Sequence, residues 1–208
     1  MLLDVFKPIR LLSGSHADTW ESGQGCFMNV IAYLNGESPI TDQSPCVCVV
    51  VRPIAIWIND FLMDSERHIL LPYIERAMGS ATCDQRELGR RARRAAKIAE
   101  EIRGLAYADI GPYAAKAASA AARVAGAANV AAGSIYAANA SGYAAKACTW
   151  AAKACDYAAD FSTDAAYASA RATIIDSCLR FLDDCLPKLE TVAQQTRKPA
   201  TLAALISQ

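Results

Sequence analysis

The sequence predicts an all-α protein in which a small, mainly helical N-terminal domain precedes an alanine-rich antiparallel helical bundle or hairpin. Three observations favour this class. Alanine, the residue with the highest helix propensity, dominates residues 105–169. Thr82 and Gln85 have the spacing of a capping box, which marks a helix start. Aliphatic residues at helical spacing form one stripe over residues 164–189.

Composition suggests three parts: an N-terminal domain over residues 1–80, a basic helix with the alanine-rich bundle over 82–190, and a tail over 191–208. A chain of 208 residues can bury a core without disulfide bridges. Its 21 basic and 21 acidic residues give a net charge of zero. Such a chain has no general attraction to nucleic acid or to an anionic membrane, and its low charge favours self-association into a homo-oligomer.

The expected location is the cytoplasm of the protein's own cell or of a host cell. No apolar run reaches the roughly 20 residues of a membrane-spanning helix. The first residues also lack the basic and long apolar regions of a signal peptide. The eight cysteines are then expected to be free thiols. Two pairs, Cys148/Cys155 and Cys178/Cys185, are spaced seven apart, as buried residues on one helix face are.

The first predicted helix covers residues 26–34, and Asn35-Gly36 ends it because both residues tolerate the left-handed conformation. Residues 46–51 are ambiguous. Their β-branched run suits a buried strand, whereas Pro53 argues against a central strand. We therefore expect an irregular or strand-like segment there.

Two more helices are expected before residue 80. One runs from Pro53 to Met63. The next begins at Asp64 or Ser65, is bent by Pro72 and ends near Met78-Gly79. Two groups of carboxylates, Asp60/Asp64/Glu66 and Asp183/Asp184, are expected to be solvated ends or faces of helices.

The helix that the capping box opens, with Thr82 as its N-cap, should run to Arg103 and end at Gly104. Residues 84–103 contain seven basic and four acidic residues. The basic residues that fall along one broad face are Arg86, Arg90, Arg93, Arg94 and Lys97.

Three interpretations of this face remain open. It is a solvated face with internal pairs such as Glu87–Arg91 and Lys97–Glu101, a surface for an acidic protein, or a site for a phosphate group. Nucleic acid would need a larger positive charge than this segment carries, so we do not expect it as a partner.

The alanine-rich segment is too long for one helix in a compact domain, because it would measure on the order of 100 Å. Gly111-Pro112 and Gly133-Ser134 are the expected breaks. Aromatic residues recur every seven positions, a period typical of a coiled-coil-like seam. We interpret them as a packing or oligomer seam, with a ligand-stacking platform as the alternative: Tyr136, Tyr143, Trp150 and Tyr157.

The last predicted helix, Asp164 to Leu189, is amphipathic, with Pro187 near its end. We expect the alanine-rich helices to cover its apolar stripe. The residues of that stripe are Ile174, Ile175, Cys178, Leu179, Leu182, Cys185, Leu186 and Leu189.

No sequence motif of catalysis or of nucleotide binding is present, and we assign no catalytic residue, metal or cofactor. A metal site would need Cys26, Cys46 and Cys48 to meet with His16 or His68 as a fourth ligand. The spacing of paired zinc ligands is absent, since only one C-x-C occurs.

Two stretches, ESGQGCFMNVIAYLNGESPITDQSPC and WINDFL, resemble a family of small proteins encoded by bacteriophages and by bacteria that carry related elements. In that family an alanine-rich tract often follows. The resemblance covers roughly residues 20–80 and implies a phage or mobile-element origin, with no particular activity. The positions that match are Gly25, Cys26, Met28, Gly36, Glu37, Asp42, Cys46, Asn59 and Asp60.

Two departures from the family pattern bear on chemistry. Asn29 stands where the family has glutamate, and Gln43 stands where it has histidine. A metal or acid–base site built on those two groups would be lost here.

These observations favour a non-enzymatic, phage-type binding protein that acts on a host protein or a small phosphorylated signalling ligand, as in counter-defence. One alternative is an enzyme or metal-binding protein centred on Cys26, Asp42, Cys46 and Cys48. Another is a structural module whose helical half only forms oligomers.

Overall fold

The computed structural model describes residues 9–14, 24–82, 84–103, 139, 142 and 164–188. This part of the chain is mostly helical, which confirms the helical class. The predicted bundle or hairpin of the alanine-rich segment, with its breaks at Gly111-Pro112 and Gly133-Ser134, lies outside the described residues. The elements are β1 (Arg10–Leu11), β2 (Gln24–Gly25), α1 (Phe27–Leu34), α2 (Arg52–Phe61), a 3-10 helix (Arg67–Leu70), α3 (Leu71–Ala77), α4 (Gln85–Arg103) and α5 (Asp164–Cys185).

The two strands lie where no strand was predicted. They pair in parallel, with Arg10 opposite Gln24 and Leu11 opposite Gly25. The ambiguous segment 46–51 is a series of turns, which is the irregular one of its two predicted forms. Arg52 helps to stabilise these turns, because its Nη2 donates to the carbonyl oxygens of Ser44 at 2.9 Å and Val47 at 3.2 Å. An arginine side chain thus satisfies carbonyl groups that a neighbouring strand would otherwise bind.

Helix α1 begins and ends as predicted. Cys26 is its N-cap, and the Cys26 Sγ accepts a hydrogen bond from the Asn29 N–H at 3.4 Å. Asn35 is the C-cap, and Gly36 follows with a positive φ of 71°. That backbone conformation favours glycine because it places no Cβ against the preceding turn.

The prediction that Pro72 bends one long helix is wrong. A 3-10 helix precedes it, and Pro72 lies in the first turn of α3. A proline is tolerated there because its missing N–H would have no helical partner. Helix α2 includes Pro53 in its own first turn and ends at Phe61 rather than at Met63.

The N-terminus of α4 differs from the predicted capping box. Gln85 is the first helical residue, so Asp84 rather than Thr82 occupies the N-cap position. The Asp84 carboxylate accepts from the Arg86 N–H at 2.9 Å, and Thr82 Oγ1 accepts from the Asp84 N–H at 3.1 Å. A carboxylate at this position also interacts favourably with the positive end of the helix dipole.

One apolar core contains residues on both sides of residue 81. Helix α5 packs against α4 and α2. Leu88 and Ile98 of α4 are buried in this core, with small alanines between them that allow close approach. The stripe predicted for the last helix faces this core through Ile174, Cys178, Leu182, Cys185 and Leu186, and Phe181, which the stripe omitted, is buried as well.

In the described part of the chain, α4 and α2 pack against α5, and the expected cover of its stripe by the alanine-rich helices lies outside the described residues. Ile175 and Leu179 lie partly buried at its edge, and Leu189 falls outside the described residues. The division at residue 81 into two domains stays a prediction.

Candidate anion-binding site

The structure brings four of the five predicted basic residues together. Arg90, Arg93, Arg94 and Lys97 line an open recess of about 390 Å³, and Asp184 of α5 lines it with them. Spacings of three, four and seven residues place these cations on one face of α4. Arg86 is exposed and lies outside the lining.

Arginines hold the C-terminal end of α5 and so place Asp184 at the recess. Arg90 Nη1 donates to the Asp184 carbonyl oxygen at 3.1 Å, and Arg76 donates to the carbonyl oxygens of Asp183 at 3.1 Å and Pro187 at 2.9 Å. The last carbonyls of a helix lack partners within the helix and carry partial negative charge. Cationic side chains therefore both bind and neutralise this end.

The Asp184 side chain forms an ion pair with Arg94. The sequence indicated only that Asp183 and Asp184 were solvated. Both are indeed exposed, yet each pairs with an arginine of another helix, since Asp183 Oδ1 lies 2.6 Å from Arg76 Nη1. Nothing in the local sequence signals these pairs, because their members are about 90 or more residues apart.

Arg90 is fixed in place by Glu87. Its Nε and Nη2 donate to the two carboxylate oxygens of Glu87, each at 2.8 Å. The buried Arg91 supports the same carboxylate through a 2.7 Å hydrogen bond, which confirms the predicted Glu87–Arg91 pair. The hydrogen bonds from Arg90 are the main cause that lowers the pKa of Glu87, to about 2. Partial burial raises this pKa, and the hydrogen bond from Arg91 lowers it further. Arg90 is thus largely neutralised before any ligand binds.

The predicted Lys97–Glu101 pair is wrong. Glu101 instead accepts from Arg180 and from the Ser177 hydroxyl of α5, each at 3.2 Å. Helix α5 lies close enough to take the carboxylate from the lysine. Lys97 and Arg93 are exposed and form no ion pair within the described ranges. They stand four residues apart, a spacing at which like charges repel.

The guanidinium of Arg94 has one nitrogen in an ion pair and another without a hydrogen-bond partner among the described residues. The Arg94 side chain is 23% exposed and pairs with Asp184 through a terminal nitrogen. Its Nε is buried and has no hydrogen-bond partner among the residues that the structure describes. Among the described residues, the recess thus contains two cations without an ion pair and one arginine whose ion-pair partner, Asp184, is exposed.

Cys26, the first position of the family-like motif, has a structural role. Its thiol donates to Asn29 Oδ1 at 3.0 Å, and the residue is 4% exposed. Burial raises the pKa of the Cys26 thiol, although nearby backbone N–H groups oppose this. A protonated, hydrogen-bonded thiol is a poor nucleophile and metal ligand. Asn29, one of the two departures from the family pattern, is its partner.

Asn59 and Asp60 join the N-terminal segment to α1. The fully buried Asn59 accepts from the Phe27 N–H at 3.2 Å and donates to the Leu12 carbonyl oxygen at 2.8 Å. Asp60 accepts from the Gly14 N–H at 2.7 Å. These motif positions connect segments that are far apart in sequence.

Three further motif positions stabilise the loop after α1. Glu37 accepts from the buried Ser44 hydroxyl, which also lies 3.1 Å from the Cys46 sulfur. Asp42 accepts from Gln43, whose side-chain oxygen accepts from Arg52 at 2.9 Å. These contacts order the loop without forming a group of open ligands.

The cysteines proposed for a metal site have separate partners. Cys46 contacts Ser44, whereas the N–H of Cys48 donates to the Ser80 hydroxyl at 3.0 Å. Among the described residues, no three or more His, Cys, Asp and Glu side chains are arranged to hold a metal ion. His68 Nδ1 lies 2.8 Å from the Ser65 carbonyl oxygen, and His16 is outside the described ranges.

The aromatic seam falls outside the described residues. This applies to all four of its members and to Cys148 and Cys155. The seam therefore stays a prediction: Tyr136, Tyr143, Trp150 and Tyr157.

The chain matches no family model, no curated protein and no solved structure. The resemblance to phage-encoded proteins therefore remains an expectation from the sequence. Within the described part, no helix is both long and apolar enough to cross a membrane. The class that the described features support is a mostly helical protein with a basic surface recess.

Proposed function

We propose that this protein is a non-enzymatic binding protein that captures an anionic partner in the basic recess of α4. One observation carries the proposal. Arg93 and Lys97 line this open recess, and no carboxylate of the described residues neutralises them. A cluster of like charges at helical spacing reduces stability unless an anion compensates it.

The lining supports binding rather than catalysis. It consists of four cations and one carboxylate, and that carboxylate is already paired with Arg94. A catalytic site would combine a nucleophile or a base with a group that orients it. The motif thiols Cys26 and Cys46 are held in hydrogen-bond networks of their own.

The target would be a host protein or a small signalling ligand, in a phage-type counter-defence role. This part of the proposal is supported by the resemblance of residues 20–80 to phage-encoded proteins. The alanine-rich segment would form the antiparallel bundle or hairpin and join copies of the chain through the aromatic seam. Low net charge and the seven-residue aromatic period support that arrangement.

The test is partner capture by the protein expressed in a phage-infected host. The double variant Arg93→Glu/Lys97→Glu should lose whatever partner the wild type retains in native mass spectrometry, whether a small mass above a multiple of 22.2 kDa or a bound protein. The control Arg86→Glu/Lys188→Glu changes the charge equally at two exposed residues outside the lining.

Loss of the partner in the recess variant alone supports the proposal. Equal retention by both variants, or a wild type that carries no partner, contradicts it.

A further inference from the structure

We propose that the partner is a small phosphorylated molecule whose phosphate replaces the Asp184 carboxylate on Arg94. This inference rests on the proposed function and specifies the ligand of the same recess. It makes Asp184 a competitor that is built into the site.

The dimensions of the recess fit a small molecule. It is open to solvent, and its volume of about 390 Å³ leaves room for a small anion. Arg90 and Lys97 are seven residues apart, which is about 10 Å along a helix. Specific protein–DNA interfaces bury upwards of about 600 Å² even for single modules and are strongly basic, whereas this chain has no net charge.

The unused donors favour phosphate as the anion. The Arg93 and Lys97 side chains are exposed and form no ion pair within the described residues, and the terminal nitrogen of Arg94 that binds Asp184 becomes available when that carboxylate leaves. A phosphate has three acceptor oxygens and roughly −1.5 to −2 charges, and an arginine fork matches its geometry. A carboxylate has fewer oxygens and less charge. One phosphate can therefore engage Arg94 and a neighbouring cation together.

Asp184 can leave Arg94 without disturbing the fold. The Asp184 side chain is 45% exposed and forms an ion pair with Arg94. Its own backbone carbonyl remains bound to Arg90, and Arg76 holds the carbonyls of Asp183 and Pro187. The end of α5 thus stays docked when the carboxylate turns to solvent. Exposed ion pairs of this kind are weak.

The experiment measures binding of inorganic pyrophosphate by calorimetry at low salt. Asp184→Asn should bind pyrophosphate about two- to fivefold more tightly than the wild type, because the competing carboxylate is removed. Asp176→Asn is the matched control. It removes the same charge from an exposed residue of α5 that pairs with Arg180 at 2.9 Å and does not line the recess. Its affinity should stay at the wild-type value.

A double-mutant cycle separates competition for Arg94 from the general electrostatic effect of removing a negative charge. Arg94→Ala should weaken pyrophosphate binding about tenfold or more. In the Arg94→Ala background, Asp184→Asn should add little, because the competition acts through Arg94. An equal gain from Asp184→Asn with and without Arg94, or an equal gain from Asp176→Asn, would overturn the role of Asp184.

Other probes decide the ligand class. Binding of pyrophosphate or of ADP in solution supports the inference, and tighter binding of ADP identifies a nucleotide. Binding only to vesicles that contain phosphatidic acid, or only to duplex DNA, overturns it. If neither pyrophosphate nor ADP binds while Arg93→Glu/Lys97→Glu still abolishes capture of a host protein, the ligand class is wrong and the proposed function stands.

Discussion

Asn59 shows how a single polar side chain orders the N-terminal part of the molecule. It is completely buried, and its amide contacts Phe27 at the first turn of α1 and Leu12 beside the strand pair. The backbone carbonyl oxygen of Asn59 accepts from Arg67 Nε at 2.8 Å. An amide supplies both a donor and an acceptor, so neither aspartate nor leucine could make the same contacts.

Asn59→Ala should lower the free energy of unfolding by about 2–3 kcal/mol, because it leaves a buried N–H and a carbonyl oxygen without partners. Asn35→Ala serves as the control. Asn35 is exposed, and within the described residues its side-chain amide binds only the Glu37 carboxylate, so its loss should cost less than about 0.5 kcal/mol. Urea unfolding of both variants measures the difference. Equal stabilities would mean that the N-terminal segment is not anchored through Asn59.

At the scale of elements, the two faces of α4 have different roles. Its apolar face packs Leu88, Ala92 and Ile98 into the core. Its basic face is held at one end by Glu87, which joins the buried Arg91 to the partly exposed Arg90. This carboxylate thus orients an arginine of the recess while it stabilises the helix.

The pKa of Glu87 predicts a pH-dependent contribution to stability. The pKa falls from 4.5 to about 2 on folding, so the contribution is fully present above pH 4.5 and is lost as the pH falls toward 2. Glu87→Gln should cost on the order of 1–2 kcal/mol at pH 7, a value reduced for solvent screening of a side chain that is 28% exposed. The deficit should shrink steadily below pH 4.5.

Thermal unfolding of both proteins between pH 7 and pH 3 measures this deficit. Glu75→Gln is the control, since Glu75 is exposed and has no ion pair within the described ranges. A deficit for Glu87→Gln that does not change with pH would contradict an ionic origin.

At the scale of the whole molecule, arginines join the N-terminal part to α5. Arg76 of α3 donates to Asp183 and to the carbonyls of Leu186 and Pro187, more than 100 residues away. Arg171 of α5 binds both carboxylate oxygens of Glu66, at 2.8 Å and 2.6 Å. Helix α5 is therefore fastened at Arg171, about two turns from its first residue, and at its C-terminal end, and the recess depends on that docking.

Arg76→Ala should lower the free energy of unfolding by about 2–4 kcal/mol, because its side chain is only 12% exposed and its loss leaves several carbonyls of the α5 end unpaired. Arg76→Lys should recover part of this loss, since it keeps the charge without the fork. Arg180→Ala is the comparison. Its pairs with Asp176 and Glu101 are exposed, and its cost should stay below about 1 kcal/mol. Chemical denaturation distinguishes them, and similar costs for Arg76 and Arg180 would contradict the proposed docking.

Local interactions explain which features the sequence predicted. The end of α1 at Asn35-Gly36 and the basic face of α4 follow from residues within about four positions of each other. The N-cap of α4 was predicted two residues early, because Thr82 and Asp84 both offer an oxygen and the backbone geometry selects Asp84. The turns of segment 46–51 are stabilised in part by Arg52, whose contacts a hydrophobic pattern does not reveal.

By itself, the sequence determined the helical class, the helix faces and the set of basic residues, because helix propensity, periodicity and caps act over a few residues. Only the tertiary structure decided which carboxylates those cations meet. Docking of α5 takes Glu101 from Lys97 and brings Asp184 to Arg94, and it leaves Arg93 and Lys97 unpaired in the described part of the chain. Charge pairing across about 90 residues follows from how helices pack, and packing is a property of the whole core.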